Sequence, residues 1–449
     1  MTILRNIKIV WLLLIVITIS SYGQDSQYWS KQYGTYGALL GGTVIGASSD
    51  LSSTYYNPGA IAFSKDSSLI PTTNSFQFIY LNFDDEANSS LSLSSWYTNA
   101  SQGIFALRLP FHFFDDDNLV ASYISRQDFN FSSTSWDIAT VNDGLQENYH
   151  SNQLSLNQNL NESWFGITWS KPFSEKVGFG VTMYVPYRSQ RVVRQSIINS
   201  YNDIDKTKNL ITSYDYDYYN LRLLWKVGIS FQIGKVMLGL SLTTPSINLF
   251  GSGSASFLAS RANIDTLQGT YPDLSSNYQD ELPTYYKSPL SIGFGAAYYW
   301  RNTTLYFSAE WFNNVNDFLV MEPESFIGQS TGEVYNYNLN YSLRSVFNFG
   351  FGVKYLFNEN FIYYGGITTD ETAYNPDSEN PFVLSTWDII HIRSGAEFKF
   401  YNMSITLGLG YGYSGNLFGN FNILGIFDNK VTDVIYHQVD VIFGFTYSL

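Results

Sequence analysis

Alternation of apolar and polar side chains is the dominant pattern of this chain, and it is clearest in residues 439–449. One parity of this segment is apolar: Val439, Val441, Phe443, Phe445, Tyr447 and Leu449. The other parity is mostly small or polar: Asp440, Ile442, Gly444, Thr446 and Ser448. Because successive side chains of a β-strand point to opposite faces, the pattern predicts a strand between an apolar medium and a polar one.

Thirteen further segments alternate in the same way, and the connections between them fall into two length classes. The short connections are 114–118, 171–176, 234–235, 301–302, 358–360 and 401–402. The long ones are 84–102, 131–161, 191–216, 245–288, 314–341, 370–386 and 415–434. Bacterial outer-membrane barrels combine an even strand number with short periplasmic turns and long external loops. The sequence therefore predicts an all-β fold, a 14-stranded antiparallel transmembrane β-barrel over residues 69–449.

Composition favours the barrel over a soluble β-sandwich or propeller. The chain of 449 residues is 45% hydrophobic and 18% aromatic, yet its mean hydropathy is only -0.10. A spanning strand needs only about 9 to 11 residues with every second one apolar. A Lys or Arg facing lipid near the midplane costs about 2–4 kcal/mol, so the polar parity must face the lumen. That parity carries Arg222, Lys226, Gln232, Glu310, Asn348, Lys354, His391, Arg393, Glu397 and Lys399.

Residues 1–23 have the features of a secretory signal peptide. Arg5 and Lys8 precede an apolar run over residues 9–19, which is too short for a retained membrane anchor, and small residues occupy the positions before Gln24. Removal of the two cations takes the formal charge from -14 to -16, which disfavours nucleic acid as a partner. Without Cys, the chain has neither a lipid-attachment site nor disulfides. The acidic segments 203–215 and 370–379 are predicted to form a solvated rim, or a cation-binding one.

Residues 24–68 do not alternate and precede the first strand. They are rich in Gly and other small residues between 33 and 47, and polar between 48 and 57. The interior of a fourteen-stranded barrel is wider than its own side chains can fill, so it is either a channel or plugged. We therefore expect residues 24–68 to form an N-terminal hatch inside the barrel.

The stretch 50–63, DLSSTYYNPGAIAF, resembles the Asn-Pro-Ala hatch signature of the FadL/TodX-type outer-membrane transporters of long-chain fatty acids and other hydrophobic compounds. Weaker similarities are VPYR at 185–188 and TPSINLFGSG at 244–253, so the resemblance spans the mature chain. Gly59 replaces the family's Ala, and Leu449 stands where outer-membrane strands often end in Phe. The resemblance implies a bacterial outer-membrane protein that contacts membrane lipid and takes a hydrophobic small molecule as its ligand.

The resemblance also directs attention to a hatch hinge and a cationic lumen. Asn57, Pro58 and Gly59 are the hinge candidates, since Pro fixes φ and Gly frees its own backbone. A carboxylate head group inside the lumen needs a cation, and the candidates are Arg222, Lys226 and Arg393. The alternative is that these cations neutralise Glu310, Glu397 or a hatch acid such as Asp50.

The predicted loop 245–288 carries apolar side chains for external capture: Ile247, Leu249, Phe250, Phe257 and Leu258. In the FadL-like family this loop and its neighbour, here 191–216, form the first capture site. Ordinary loop packing is the alternative explanation of these side chains.

No enzymatic activity, cofactor or metal site is predicted. The four His residues have no metal-ligand spacing, and there is no phosphate-binding loop. The alternative function belongs to another class: a FadL-like barrel acting as a protein-binding subunit of a secretion or surface-assembly complex. Its possible protein partners would bind external loops such as 142–161 and 334–341.

Overall fold

The structure is a computed structural model. It describes residues 26–47, 50–64, 69–70, 72–84, 92–111, 113–114, 116–142, 147–202, 206–262, 265–266, 269–270, 273–375, 387–401, 403–414 and 433–447. The predicted signal peptide, most of the predicted loop 415–434 and Leu449 lie outside these ranges. No helix in the described ranges is long and apolar enough to cross a membrane.

Strands dominate the described ranges, and helix is confined to one short stretch near the N-terminus. The helical elements are α1 (Ser53–Tyr56) and a 3-10 helix (Pro58–Phe63). The strands are β1 (Leu69–Ile70), β2 (Thr72–Asp84), β3 (Ser92–Gln102), β4 (Ile104–Leu109), β5 (Asn118–Asn142), β6 (Glu147–Ser174), β7 (Val177–Asn202), β8 (Lys206–Ile233), β9 (Val236–Thr243), β10 (Ile247–Ala262), β11 (Asp265–Thr266), β12 (Gly269–Thr270), β13 (Asp273–Pro283), β14 (Ser291–Trp300), β15 (Thr303–Phe312), β16 (Val315–Met321), β17 (Phe326–Ile327), β18 (Val334–Tyr335), β19 (Leu339–Leu343), β20 (Val346–Asn358), β21 (Phe361–Asp370), β22 (Ile389–Phe400), β23 (Met403–Ser414) and β24 (Asp433–Tyr447).

One antiparallel sheet closes on itself to form the barrel. Its last strand pairs with its first through β24 and β2, with Phe445 opposite Thr72 and Asp433 opposite Asp84. The two ends of the chain therefore pair with each other, as the predicted barrel requires. The sheet contains 18 strand segments. The predicted count of fourteen requires that β1/β2, β3/β4, β9/β10 and β13/β14 are each one interrupted membrane strand, and it stays a prediction.

The two faces of the wall follow the predicted parity. In β24 the side chains of Val439, Val441 and Phe443 are exposed on the outside, whereas Asp440 and Ile442 are buried inside. Ionisable side chains of other strands are buried on the same inner face. Apolar side chains thus cover the outer surface while ionisable groups face the lumen, as expected for a barrel in lipid. These inward groups are Arg222, Lys226, Glu310, His391, Arg393 and Glu397.

The prediction of long external loops is wrong for four of the connections. The predicted loops 84–102, 131–161, 191–216 and 245–288 are mostly strand, because β3 covers Ser92–Gln102, β5 to β8 run for 25 to 28 residues each, and β10 continues beside them. Ser, Asn, Gln and Tyr replace the apolar stripe there. Backbone ladders need no apolar face, so pairing continues where the composition is typical of loops.

The N-terminal segment, defined here as residues 26–47 and 50–64, packs against inward-facing side chains of the wall, and its role as a hatch stays a prediction. Its side chains Tyr33, Leu39, Leu40, Val44 and Leu51 have no exposed surface. They belong to one apolar cluster that also includes inward side chains of the wall. The molecule's largest core therefore lies between the wall and this segment.

Candidate functional site

The turn at residues 57–59 lies in a notch of the wall that is lined by Gly178 and Gly228. A Cβ placed on Gly59 would lie 2.6 Å from the Gly228 carbonyl oxygen and 2.9 Å from that of Gly178. The described glycines with positive φ do not include Gly59. Gly59 is thus required for close approach of two backbones in this conformation, a different reason from the predicted freedom of a hinge.

The side-chain amide of Asn57 stabilises the same turn through both its oxygen and its nitrogen. Its Oδ1 accepts from the Gly59 backbone N–H at 3.1 Å and so caps the 3-10 helix. Its Nδ2 donates to Ile45 O at 3.0 Å, Ile229 O at 3.1 Å and Ser230 Oγ at 3.0 Å. These contacts hold the turn at residues 57–59 in place against the wall. The role of these residues as a hinge stays a prediction.

Asp370 holds the other end of the N-terminal segment. Its Oδ1 accepts from the backbone N–H groups of Tyr28 at 3.2 Å and Trp29 at 2.8 Å, and its Oδ2 accepts from Ser30 Oγ at 2.6 Å. Asp370 is fully buried, so the prediction of a solvated acidic rim is wrong at this residue. It ends β21, one position before the chain leaves the wall, which lets its carboxylate meet the segment inside.

Replacing Asp370 by Ala is expected to loosen residues 28–30. Hydrogen bonds to a charged group contribute about 1.5–3 kcal/mol each, so loss of three acceptor contacts should increase local opening. Hydrogen exchange measured by mass spectrometry should show faster exchange of the Tyr28 and Trp29 amides. Asp217→Ala, on the outward face of β8, is the control and should leave exchange there unchanged. Equal exchange in both variants would contradict the assignment.

A small cavity of about 50 Å³ lies between the N-terminal segment and the wall. Aromatic rings and charged groups line it together. The aromatic lining is Tyr28, Tyr55, Trp164, Tyr286 and Phe312. The charged lining is Arg126, Glu162, Lys226, Lys287 and Glu310. This combination suits a ligand with an apolar body and one charged group.

Arg126 reaches this cavity because β5 bulges there. The register of β5 against β6 shifts between Ser125 and Gln127, which turns the intervening side chain inward. Its guanidinium carbon lies 5.7 Å from the ring centroids of both Tyr55 and Trp164, and 6.0 Å from that of Tyr28. Arg126 is buried, and none of the ion pairs among the described residues involves it.

The three predicted lumen cations are all buried and all paired. Arg222 Nη2 lies 2.6 Å from Glu162 Oε2, and Lys226 Nζ lies 3.7 Å from Glu310 Oε1. Arg393 Nη2 lies 3.6 Å from Asp440 Oδ2 and donates to Ser30 O at 3.0 Å, which ties the N-terminal segment to the wall. The structure therefore favours the alternative in which these cations neutralise acids, and the Lys226–Glu310 pair is one that the sequence suggested.

Lys31 is a further cation of the N-terminal segment. It donates to Ser125 Oγ at 3.0 Å, beside the β5 bulge. Burial lowers the pKa of Lys31 to about 8, against the opposing effect of the Asp128 carboxylate. Its charge thus adds to that of Arg126 next to the same bulge.

Solved structures with the same architecture are hydrophobic-compound transporters and channels. The P. putida toluene transporter TodX superposes with a TM-score of 0.61 at 12% identity, covering 93% of this chain and 99% of that one. A Pseudomonas aeruginosa FadL homologue gives 0.61 at 12% identity, with 94% and 99% covered. For the CymD monoaromatic hydrocarbon channel the TM-score is 0.54 at 12% identity, with 93% and 98% covered.

The chain has the FadL/TodX-type fold. The resemblance inferred from residues 50–63 is therefore confirmed at the level of the fold. No family model and no curated protein matches the sequence.

In this FadL/TodX-type barrel the predicted capture residues do not form one continuous apolar surface. Ile247 and Phe250 lie in β10 opposite Leu223 and Leu221, on the outward face, and are exposed. Phe257 is buried inside the mouth of the barrel. Its ring centroid lies 5.1 to 5.9 Å from those of four aromatic residues, Tyr214, Phe326, Tyr335 and Tyr337.

The other two capture candidates differ from both groups. Leu249 is exposed at a register shift of β10, and Leu258 is half-buried on the face opposite Phe257. The predicted loop is a strand here, so alternation sends neighbouring side chains to opposite faces. We name Phe257 and its four ring partners the mouth cluster.

The wall of the FadL/TodX-type barrel is interrupted beside the cavity. The ladder between β4 and β5 ends at Ile104 and Ile124, followed by a hydrogen bond from Ser125 N to Gly103 O at 3.2 Å. Above it, no backbone ladder pairs β3 with β5 among the described residues, and Ser133 Oγ bonds to Ser94 O at 3.2 Å. This interruption of the backbone ladder, called the β3–β5 gap below, lies beside the Arg126 bulge.

Metal binding finds no support in the described ranges, where no group of three or more His, Asp or Glu could hold an ion.

Proposed function

We propose that this protein carries hydrophobic small molecules through the bacterial outer membrane, with long-chain fatty acids as the ligand class and without catalytic activity. The observation that carries the proposal is the cavity, where an Arg126 guanidinium outside every described ion pair lies among aromatic rings. A fatty acid has an apolar chain and an anionic head group, which match the aromatic rings and the cations of this lining. The names of the similar structures, which describe toluene and monoaromatic hydrocarbon transport, support the hydrophobic part.

The balance of charge around the cavity supports an anionic head group. The lining contains three cations and two carboxylates. One of these carboxylates, Glu162, is already shared by Arg188 and Arg222, at 3.1 and 2.6 Å. A carboxylate bound to Arg126 would make charge-assisted hydrogen bonds in a site with little water.

The cavity must enlarge before it accepts such a ligand. An apolar cavity that binds benzene measures about 150 Å³, three times the volume seen here. The N-terminal segment forms one side of the cavity through Tyr28 and Tyr55, so its displacement would provide the space. The β3–β5 gap lies beside Arg126, and we propose it as the exit towards the membrane.

Replacing Arg126 by Met tests the proposal. Met keeps much of the apolar volume and removes the charge, so oleate uptake should fall by about tenfold or more, as expected for loss of a charged hydrogen bond. Uptake is measured with labelled oleate in cells without another fatty-acid transporter, at matched levels of folded barrel. Toluene uptake, which needs no anion site, should be unchanged.

Arg191→Met is the matched control. Arg191 is an exposed arginine on β7, paired with Asp215 at 2.9 Å. It should leave the uptake of both compounds at the wild-type level. Normal oleate uptake in the Arg126 variant would contradict the fatty-acid assignment, and absence of uptake of both compounds in the wild type would contradict transport itself.

A role as a protein-binding subunit is the second candidate, and the long strands favour it. β6 and β8 have 28 residues each, far more than the roughly 9 to 11 that a bilayer requires. Their outer ends therefore rise above the membrane as a paired sheet. Purification in mild detergent separates the candidates: bound lipid favours the transporter, and a stoichiometric protein partner favours the subunit.

A further inference from the structure

Two buried arginines lie between the cavity and the mouth cluster. Arg188 of β7 and Arg222 of β8 have no exposed surface, and both contact Glu162 Oε2. Two cations thus share one carboxylate, and the group has a formal charge of +1. A buried charge without a partner is unfavourable, so this group favours an additional anion.

Arg222 has a donor available for that anion. Its Nη1 donates to Ser288 Oγ at 2.6 Å and its Nη2 lies 2.6 Å from Glu162 Oε2, whereas its buried Nε has no hydrogen-bond acceptor among the described residues. Arg188, by contrast, donates to Gln127, Gln190 and Glu162 at 2.9 to 3.1 Å. A carboxylate is the acceptor that best fits two adjacent guanidinium groups.

The ring of Tyr286 covers both guanidinium groups. Its centroid lies 4.0 Å from the guanidinium carbon of Arg188 and 4.7 Å from that of Arg222. The same ring lines the cavity and packs against Tyr341, at a centroid distance of 5.5 Å, and Phe318, at 6.0 Å. Tyr286 therefore lies between the two guanidinium groups and the cavity.

Tyr286 belongs to a connection and not to the wall ladder. Residues 284–290 join β13 to β14 and turn inward. The backbone of this connection is well anchored: the Tyr286 N–H donates to Asn248 Oδ1 and the Ser288 N–H to Ser246 Oγ, both at 2.9 Å, and the Tyr285 N–H donates to Val320 O at 3.0 Å. Among the described residues the Tyr286 hydroxyl makes no hydrogen bond, so rotation of the side chain alone can withdraw the ring while these backbone contacts and the barrel wall stay in place.

We propose that Tyr286 is a movable cover over a second anion site, formed by Arg188 and Arg222, which receives the head group of an anionic amphiphile on its way from the mouth to the cavity. The ligand class rests on the proposed function. A carboxylate that displaces the ring exchanges cation–π contacts for charge-assisted hydrogen bonds, which are the stronger interaction. The site would thereby discriminate fatty acids from neutral molecules of the same length.

Modification of arginine by a dicarbonyl reagent tests the cover without any assumption about transport. In the purified full-length protein, Arg188 and Arg222 should react slowly in the wild type and in Tyr286→Phe, which keeps the ring. In Tyr286→Ala both should react several-fold faster, and added oleate should slow them again. Equal protection in Tyr286→Ala overturns the cover, and failure of oleate to protect overturns the anion site. Heat-modifiable gel mobility verifies that each variant is folded.

Binding of oleate and oleyl alcohol tests the selectivity. Arg188→Gln should raise the Kd of oleate by about tenfold and leave that of oleyl alcohol unchanged, with Arg191→Gln as the exposed control. Equal loss for both ligands would show a structural role only and overturn the selectivity. If the wild type binds neither ligand, the proposed function fails, while the modification experiment still decides whether Tyr286 covers the arginines.

Discussion

Gly228→Ala is expected to displace the N-terminal segment and open the barrel. A Cβ at Gly228 would overlap Asn57 Oδ1 and lie 2.7 Å from Pro58 Cδ. The wall backbone is fixed by ladders on both sides, so the turn at 57–59 has to move away. Overpacking of this kind typically costs 1–3 kcal/mol, and here it also breaks the amide contacts of Asn57.

The measurement is permeability. Cells that produce Gly228→Ala should become sensitive to large polar antibiotics that the outer membrane excludes, and the purified variant should show larger conductance in planar bilayers. Gly365→Ala is the matched control, because a Cβ on this wall glycine would meet nothing closer than 3.7 Å. Wild-type permeability in Gly228→Ala would show that the N-terminal segment does not close the lumen at this notch.

Side-chain parity made the wall predictable, and inward-facing Arg222, Lys226 and Arg393 followed from it. Arg188 has the same inward parity in β7, but it was considered only as part of the VPYR stretch near the predicted end of that strand. Glu162 was likewise missed at the first position after a predicted loop, where parity has little neighbouring strand to rest on. Both residues lie where the apolar stripe gives way to polar side chains while backbone pairing continues.

Arg126 could not be found by parity at all. Residues 124–128 are all buried, because the bulge in β5 breaks the alternation that identifies inward positions. Tyr286 likewise lies in a connection, where no periodicity assigns a face. The cavity depends on these two residues, so its position required the three-dimensional arrangement, although the notch turn was already marked by the sequence Asn57-Pro58-Gly59.

The role of the glycines in the notch could not be found from the sequence. Gly178 and Gly228 look like ordinary small residues of an inner face, and nothing in their local sequence distinguishes them from an inward glycine such as Gly444, whose Cβ would meet only side chains. Only the approach of Pro58 and Gly59 to the wall shows that a side chain is not tolerated there. Close backbone contacts between distant segments leave no periodic signal.

Removal of the Glu162 carboxylate is expected to destabilise the barrel most. Glu162→Ala leaves Arg188 and Arg222 buried without a carboxylate, a situation that costs about 3–5 kcal/mol. It also removes the acceptor of Trp164 Nε1, at 2.7 Å. The temperature at which the folded band disappears on a heat-modifiability gel should fall clearly. Asp215→Ala, which breaks the exposed pair with Arg191, should change stability by less than about 1 kcal/mol.

A double variant separates loss of the carboxylate from loss of packing. If the cost of Glu162→Ala comes from two uncompensated cations, adding Arg188→Gln should restore part of the stability, because only one buried cation remains. Simple addition of the two destabilising effects would instead show that Glu162 acts by packing. The same double variant should lose its preference for oleate over oleyl alcohol, since one of the two guanidinium groups that Tyr286 covers is gone.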